Sequence, residues 1–325
     1  PKIDRYSGNM ITEDASFTLF CHYGTFTKPV TFTKQEDGSY LSNEVYYADT
    51  FDNANYGKFY LTETEAPEGY YGDWMDNGGN KTAGSDTNKV QYNVEILGDL
   101  SNHTMVINIT NDWNYDGSSF TGIDDSGKYF WNEHQYGEVF LYKYDDEAEA
   151  DYVDGSRITQ GDVTTLDGTV YGLYAAEDII HPDGVTGVIY QAGDLVATAT
   201  IGKTPITDEY GYLLDIDGNR CIESGKEAAT TDTPGVTAFR QVELGKYYIS
   251  EITEKDGYLT DTTEHRGDEL AKYYVTFTYK TETEAVILRD EVAKDDDNNL
   301  TMDDDNNTHN VYSGDFVEKQ ATQFI

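Results

Sequence analysis

The sequence has only two cysteines, Cys21 and Cys221, far apart among its 325 residues. That excludes a disulfide framework, so a secreted chain of this kind must get its robustness elsewhere. Basic residues are also scarce: 22 Lys plus Arg stand against 61 Asp plus Glu, a formal charge of -39. Such a surplus repels nucleic acid and anionic membrane, and both are excluded as partners. No apolar run approaches the roughly 20 residues of a membrane helix, and no stretch keeps helical periodicity over three turns. No signal peptide or sorting tail is visible, so any such segments are expected outside this sequence.

Strand-forming residues are plentiful. Aromatics make up 14% of the chain and 28 residues are Tyr, which rules out a disordered acidic tail. Alternating segments such as Ser16–Phe20 and Tyr273–Tyr279 are separated by turn clusters rich in Gly, Asp and Asn. The pattern predicts an all-β chain of sandwich type, with one short helix over Tyr174–Ile180 stopped by His181-Pro182. The acidic charge suits a soluble, extracellular setting.

An internal repeat organises the chain. Residues 57–70 read GKFYLTETEAPEGY and residues 245–258 read GKYYISEITEKDGY, identical at six of fourteen ungapped positions. Each copy is a strand ended by a Gly-Tyr turn. Upstream of each lies an aromatic-x-Leu-aromatic strand, Phe17–Phe20 and Tyr171–Tyr174, and further upstream a Lys-x-Asp, at Lys2 and at Lys143. Downstream, Ile107–Asn111 reads as a closing strand ending in Asn, and Val311–Asp315 is its counterpart. Two copies of one domain explain this order: residues 1–113, a linker over 114–136, and a larger second domain over 137–325 with an insertion at 201–237.

Lys-x-Asp, aromatic-x-Leu-aromatic, Glu63 to Tyr70 as E-x-x-x-P-x-G-Y and a closing strand ending in Asn together resemble the Cna B-type (SpaA-like, prealbumin-like) domains of Gram-positive surface proteins and pilins. The second copy departs from the pattern with Glu254-Lys255 in place of Ala-Pro, but keeps Glu251, Gly257 and Tyr258. The resemblance implies tandem prealbumin-like, Ig-like sandwiches in an elongated arrangement. It also implies a self-made amide in each, from an inward Lys to an Asn or Asp with a Glu assisting. Carried over, the groups are Lys2, Glu63 and Asn111 in the first domain, and Lys143, Glu251 and Asp315 in the second. Asn306 and Asn310 are rival acceptors there. The chemistry suits those residue types. An amine attacks only when neutral, which burial favours, and a buried carboxyl can hold a proton and pass it to an amide under attack. Packing supplies proximity, so no cofactor is required.

Asp112, Asn114 and Asp116, followed by Gly117, match the first half of a calcium loop, whose oxygens suit a hard cation; a plain turn explains them as well. Gly122–Tyr129 is a near miss to a phosphate loop and is rejected, because Tyr129 replaces the Ser or Thr and two aspartates would repel phosphate. The six histidines never fall at metal-ligand spacing. Together these features predict a cell-wall-attached stalk, pilus or adhesin segment whose partners are neighbouring domains or subunits of one filament. Lys2 stands near one end and the last strand near the other, as expected of a piece of a longer array. A module binding a glycan or host protein is the variant of this reading, and a carbohydrate-active enzyme is the rival.

Overall fold

The computed structural model describes residues 1–21, 30–43, 59–72, 89–99, 104–110, 120–143, 165–208, 211–257, 270, 272–282, 284–289 and 311–315. The chain forms two compact units. The first comprises Pro1–Gln135 with His181–Gly187 and Tyr279–Glu284; the second comprises Tyr136–Ile180, Val188–Thr278 and Ala285–Ile325.

The first unit holds β1 (Lys2–Asp4), β2 (Ser16–Cys21), β3 (Val30–Lys34), β4 (Tyr40–Ser42), β5 (Phe59–Glu65), β6 (Tyr92–Asp99), β7 (Thr104–Thr110), β8 (Thr121–Ile123) and β9 (Phe130–Asn132). A six-stranded sheet in the order β4-β3-β2-β5-β6-β7 packs on a three-stranded sheet, β1-β9-β8. Phe17, Phe59, Leu61, Tyr92 and Val94 from the large sheet meet Ile123 and Phe130 from the small one in a single core. Burying each large side chain contributes about 1.5–3 kcal/mol. Residues 120–135, expected to be linker, therefore complete the first sandwich. Phe120, Ile123 and Phe130 are buried, and the Asp124–Lys128 turn between them is closed by the Asp124 carboxylate, which accepts from the Lys128 and Tyr129 amides.

The second unit holds β10 (Tyr136–Tyr142), β11 (Val170–Ala175), β12 (Ile179–Ile180), β13 (Val188–Tyr190), β14 (Leu195–Thr200), β15 (Gly202–Pro205), β16 (Thr230–Thr233), β17 (Val236–Glu243), β18 (Gly245–Thr253), β19 (Tyr273–Thr281), β20 (Glu284–Arg289) and β21 (Val311–Asp315). A five-stranded sheet, β14-β11-β18-β19-β20, faces a three-stranded one, β17-β10-β21. Tyr171, Leu173, Tyr247, Ile249 and Phe277 pack against Val139, Leu141 and Phe239 between them. Among the described residues α1 (Cys221–Ser224), within the 201–237 insertion, is the one helix. The helix expected over Tyr174–Ile180 is instead the end of β11 and the start of a hairpin. Tyr174 pairs with Tyr248 across the sheet and stacks on its ring at 5.0 Å, a contact that strand geometry permits.

The repeat is visible in the register. β2 pairs with β5 as β11 pairs with β18, and each pairing slips by one residue just before the aromatic that faces the glutamate, Phe17↔Glu63 and Tyr171↔Glu251. Gly69 and Gly257 end the two copies with φ of +85° and +93°, a region that residues with a Cβ rarely occupy.

Candidate functional site

Along β5 the inward row is Phe59, Leu61, Glu63; along β18 it is Tyr247, Ile249, Glu251, all buried. Period-2 alternation thus places a carboxyl third in an apolar row, where an unpaired charge would be costly. A lysine from the small sheet meets each one.

In the first unit Lys2 is 2% exposed, and its Nζ lies 2.8 Å from Glu63 Oε1 and 5.6 Å from the centre of the Phe17 ring. The same nitrogen donates to Asn132 Oδ1 in a very short contact. Asn132, fully buried, donates through Nδ2 to Glu63 Oε2 and to the Tyr71 carbonyl, both at 2.9 Å. The glutamate therefore touches the amine with one oxygen and the amide nitrogen with the other. Backbone register explains the meeting. β1 runs parallel to β9 with Lys2 opposite Phe130 and Asp4 opposite Asn132, so Lys2 and Asn132 are diagonal neighbours on one face.

The expected acceptor Asn111 lies outside the described residues, as do Asp112, Asn114 and Asp116. The strand before them, β7, is the outer strand of the large sheet, and its Val106, Ile107 and Asn108 are exposed. The strand that lies beside β1 is β9, and its Asn132 occupies the place at Lys2 for which Asn111 was expected. The signal in the sequence was Phe130-Trp131-Asn132, an alternating triplet hidden in a stretch rich in Asp, Gly and Ser.

In the second unit Lys143, just past β10, is 1% exposed, with Nζ 3.7 Å from Glu251 Oε2 and 5.7 Å from the Tyr171 ring centre. Each lysine thus rests over the aromatic that faces its glutamate. β21 runs parallel to β10 with Asp315 opposite Tyr142, the residue before Lys143. Asn306 and Asn310 lie outside the described residues.

Residues 153–267 match the family model SpaA, described as a prealbumin-like fold domain. No curated protein matches the chain. Among solved structures, the Bacillus anthracis TIE protein is similar at 14% identity and a TM-score of 0.37, over 87% of this chain and 31% of that one. This chain thus spans about a third of that protein's length. A C-terminal fragment of the pilus adhesin SpaC from Lactobacillus rhamnosus GG is similar at 14% identity and a TM-score of 0.33, over 97% of this chain and 93% of that one. The shaft pilin SpaA of the same organism is similar at 12% identity and a TM-score of 0.20, over 79% and 81%.

Proposed function

We propose that this chain, whose residues 153–267 carry a SpaA-type prealbumin-like domain, is a tension-resisting segment of a Gram-positive surface filament or adhesin, stapled by amides of its own making. The observation that supports this most directly is the buried convergence of Lys2, Glu63 and Asn132.

In the reaction, Lys2 Nζ attacks Asn132 Cγ. Glu63 accepts a proton from the amine through Oε1 and delivers one through Oε2 to Nδ2. The Cγ–Nδ2 bond then breaks, ammonia leaves, and a Lys2–Asn132 amide remains. The Tyr71 carbonyl holds Nδ2 in place while this happens. Two reactants fixed by a packed core need no cofactor, and the reaction runs once per molecule.

The bond would close a loop between residues 130 positions apart. By analogy with a disulfide of that span, it contributes about 5 kcal/mol through the unfolded state. Its mechanical effect is larger. A pull applied before Lys2 and after Asn132 runs through the amide and bypasses every residue between them. In the second unit we assign Lys143 as amine, Glu251 as proton carrier and Asp315 as acceptor, a condensation that loses water. Calcium in the loop of Asp112, Asn114 and Asp116 belongs to the same reading, and chelator-dependent proteolysis between residues 112 and 136 tests it.

No helix among the described residues is long and apolar enough to cross a membrane. On this reading the segment works outside the cell, joined to neighbouring domains or subunits, with a glycan or host-protein ligand as a further partner. Intact mass tests the chemistry: one lost ammonia supports the first staple and one lost water the second. A mass equal to that of the sequence overturns both.

A further inference from the structure

The strand pair that carries Lys2 and Asn132 carries a second buried cluster two residues further on. Asp4 on β1 is fully buried, and its Oδ2 lies 2.9 Å from Nδ1 of His134, which follows β9. His181, from the His181–Gly187 segment of the same unit, packs its ring edge-on against His134 with centroids 5.0 Å apart. One ligand atom from each of Asp4, His134 and His181 lies within 4.8 Å of the other two. Among the described residues this is the one place where three such side chains converge.

Each group is held from behind. Asp4 Oδ1 accepts the Tyr6 and Ser7 amides at 2.9 and 2.7 Å, leaving Oδ2 toward the histidines. Nδ1 of His181 lies 3.2 Å from the Asp183 backbone amide, which donates to it, and 3.2 Å from Asp183 Oδ2; for Nε2 to coordinate, Nδ1 must carry the proton and give it to Oδ2 instead. Asp183 is itself pinned by five donors: the Val185 and Thr186 amides, the Thr186 and Ser7 hydroxyls and the Asn9 side chain. A carboxylate behind a histidine is the arrangement that orients imidazoles in metal sites.

Charge and spacing then decide the occupant. Asp4 and Asp183 bring two buried carboxylates to the cluster, whose charge a divalent cation would offset. Two ligands on one tetrahedral cation stand about 3.3 Å apart for bonds of about 2.0–2.1 Å, so the ion takes the place of the proton shared by His134 Nδ1 and Asp4 Oδ2, which are 2.9 Å apart. Two nitrogens and one oxygen suit zinc or cobalt; calcium and magnesium require more oxygens.

We propose that Asp4, His134 and His181 bind a zinc-like divalent metal, with Asp183 as the outer carboxylate that positions His181. The metal ties the His181–Gly187 segment to the β1–β9 seam inside the first unit. It acts next to the staple without taking part in it.

The test uses the untagged full chain, stripped with a chelator and titrated with Co(II). One equivalent should bind, with the visible bands of a low-coordinate cobalt site, and Zn(II) should bleach them. Melting of the first unit should shift upward with either ion. His181→Ala should abolish the bands, and Asp183→Asn should weaken Co(II) binding by about ten- to a hundredfold. Wild-type protein with no bands and no thermal shift in excess metal overturns the proposal whatever the variants do. So does a His181→Ala chain that binds like wild type. The intact mass of the same samples reports the staple separately, so failure of one reading is distinct from failure of the other.

Discussion

Glu63 stands between two groups that must exchange protons: its Oε1 is 2.8 Å from the Lys2 amine and its Oε2 is 2.9 Å from the Asn132 amide nitrogen. A single carboxyl reaching both reactants needs no second residue and no water to carry the proton. The pairing also explains why a glutamate is kept in the apolar row Phe59, Leu61, Glu63. There it partners a buried amine, and removing either partner leaves the other uncompensated.

The acceptor is checked by substitution. Asn132→Ala should show no ammonia loss from the first unit and lower its melting temperature by roughly 10 to 20 °C, from the loop-closure term of about 5 kcal/mol. Asn132→Asp should still condense, with loss of water. Mass spectrometry of tryptic fragments separates the outcomes. A cross-linked peptide joining Lys2 to any residue other than 132 refutes the assignment.

Glu63→Gln keeps the shape of the side chain and removes its titratable proton. The domain should fold, the amide should not form, and the drop in melting temperature should match that of Lys2→Ala. The double variant should add little, because both changes remove one bond. Retention of the ammonia-loss mass in Glu63→Gln would show that the carboxyl is a bystander.

The repeat made both lysine–glutamate pairs legible, because each Tyr-x-x-Glu follows a Lys-x-Asp and an aromatic strand in the same order, which leaves few other pairings. Asn132 was not legible. Its strand is three residues long and preceded by a stretch of Asp, Gly and Ser, so composition there speaks for a linker while only Phe130 and Asn132 alternate inward. The Tyr174–Ile180 stretch misled for the opposite reason: a Gly-Leu-Tyr-Ala-Ala-Glu run reads locally as helix, and cross-strand partners override it. The histidines were judged on spacing along the chain. His134 and His181 are brought together only by the fold.

A second ion pair in the first unit, between a buried lysine and a half-buried glutamate, predicts a stability effect unrelated to cross-linking. Lys89, 2% exposed, donates to the Thr64 carbonyl and to Glu282 Oε1, while Glu282 Oε2 accepts the Ala66 amide at 2.8 Å. Glu282→Ala should cost about 3–5 kcal/mol, since it removes the anionic partner of a buried ammonium and the acceptor of the Ala66 amide. Replacing both charges, Lys89→Met with Glu282→Leu, should recover most of that loss. Urea midpoints of the three proteins decide it: a double variant no better than Glu282→Ala would mean that the pair is net stabilising in its own right.

The second unit should show a pH dependence traceable to one carboxyl. Glu138 on β10 is buried, and burial pushes its pKa from 4.5 to about 7, against the opposing pull of Arg240, whose Nε lies 3.0 Å from Oε2. Because the folded value exceeds the unfolded one, the native state holds a proton that the unfolded chain has released between those two pH values. Stability from this group is therefore fully present below about pH 4.5 and declines as pH rises toward 7, by up to about 3 kcal/mol. Glu138→Gln cannot titrate and keeps a neutral partner for Arg240, which stays bonded to the Pro205 carbonyl and the Thr207 hydroxyl. The urea midpoint of wild type should fall between pH 4.5 and 7 more steeply than that of Glu138→Gln, and the two curves should run parallel above pH 8. Parallel curves over the whole range would mean that Glu138 is ionised in the folded protein and that Arg240, not burial, sets its charge.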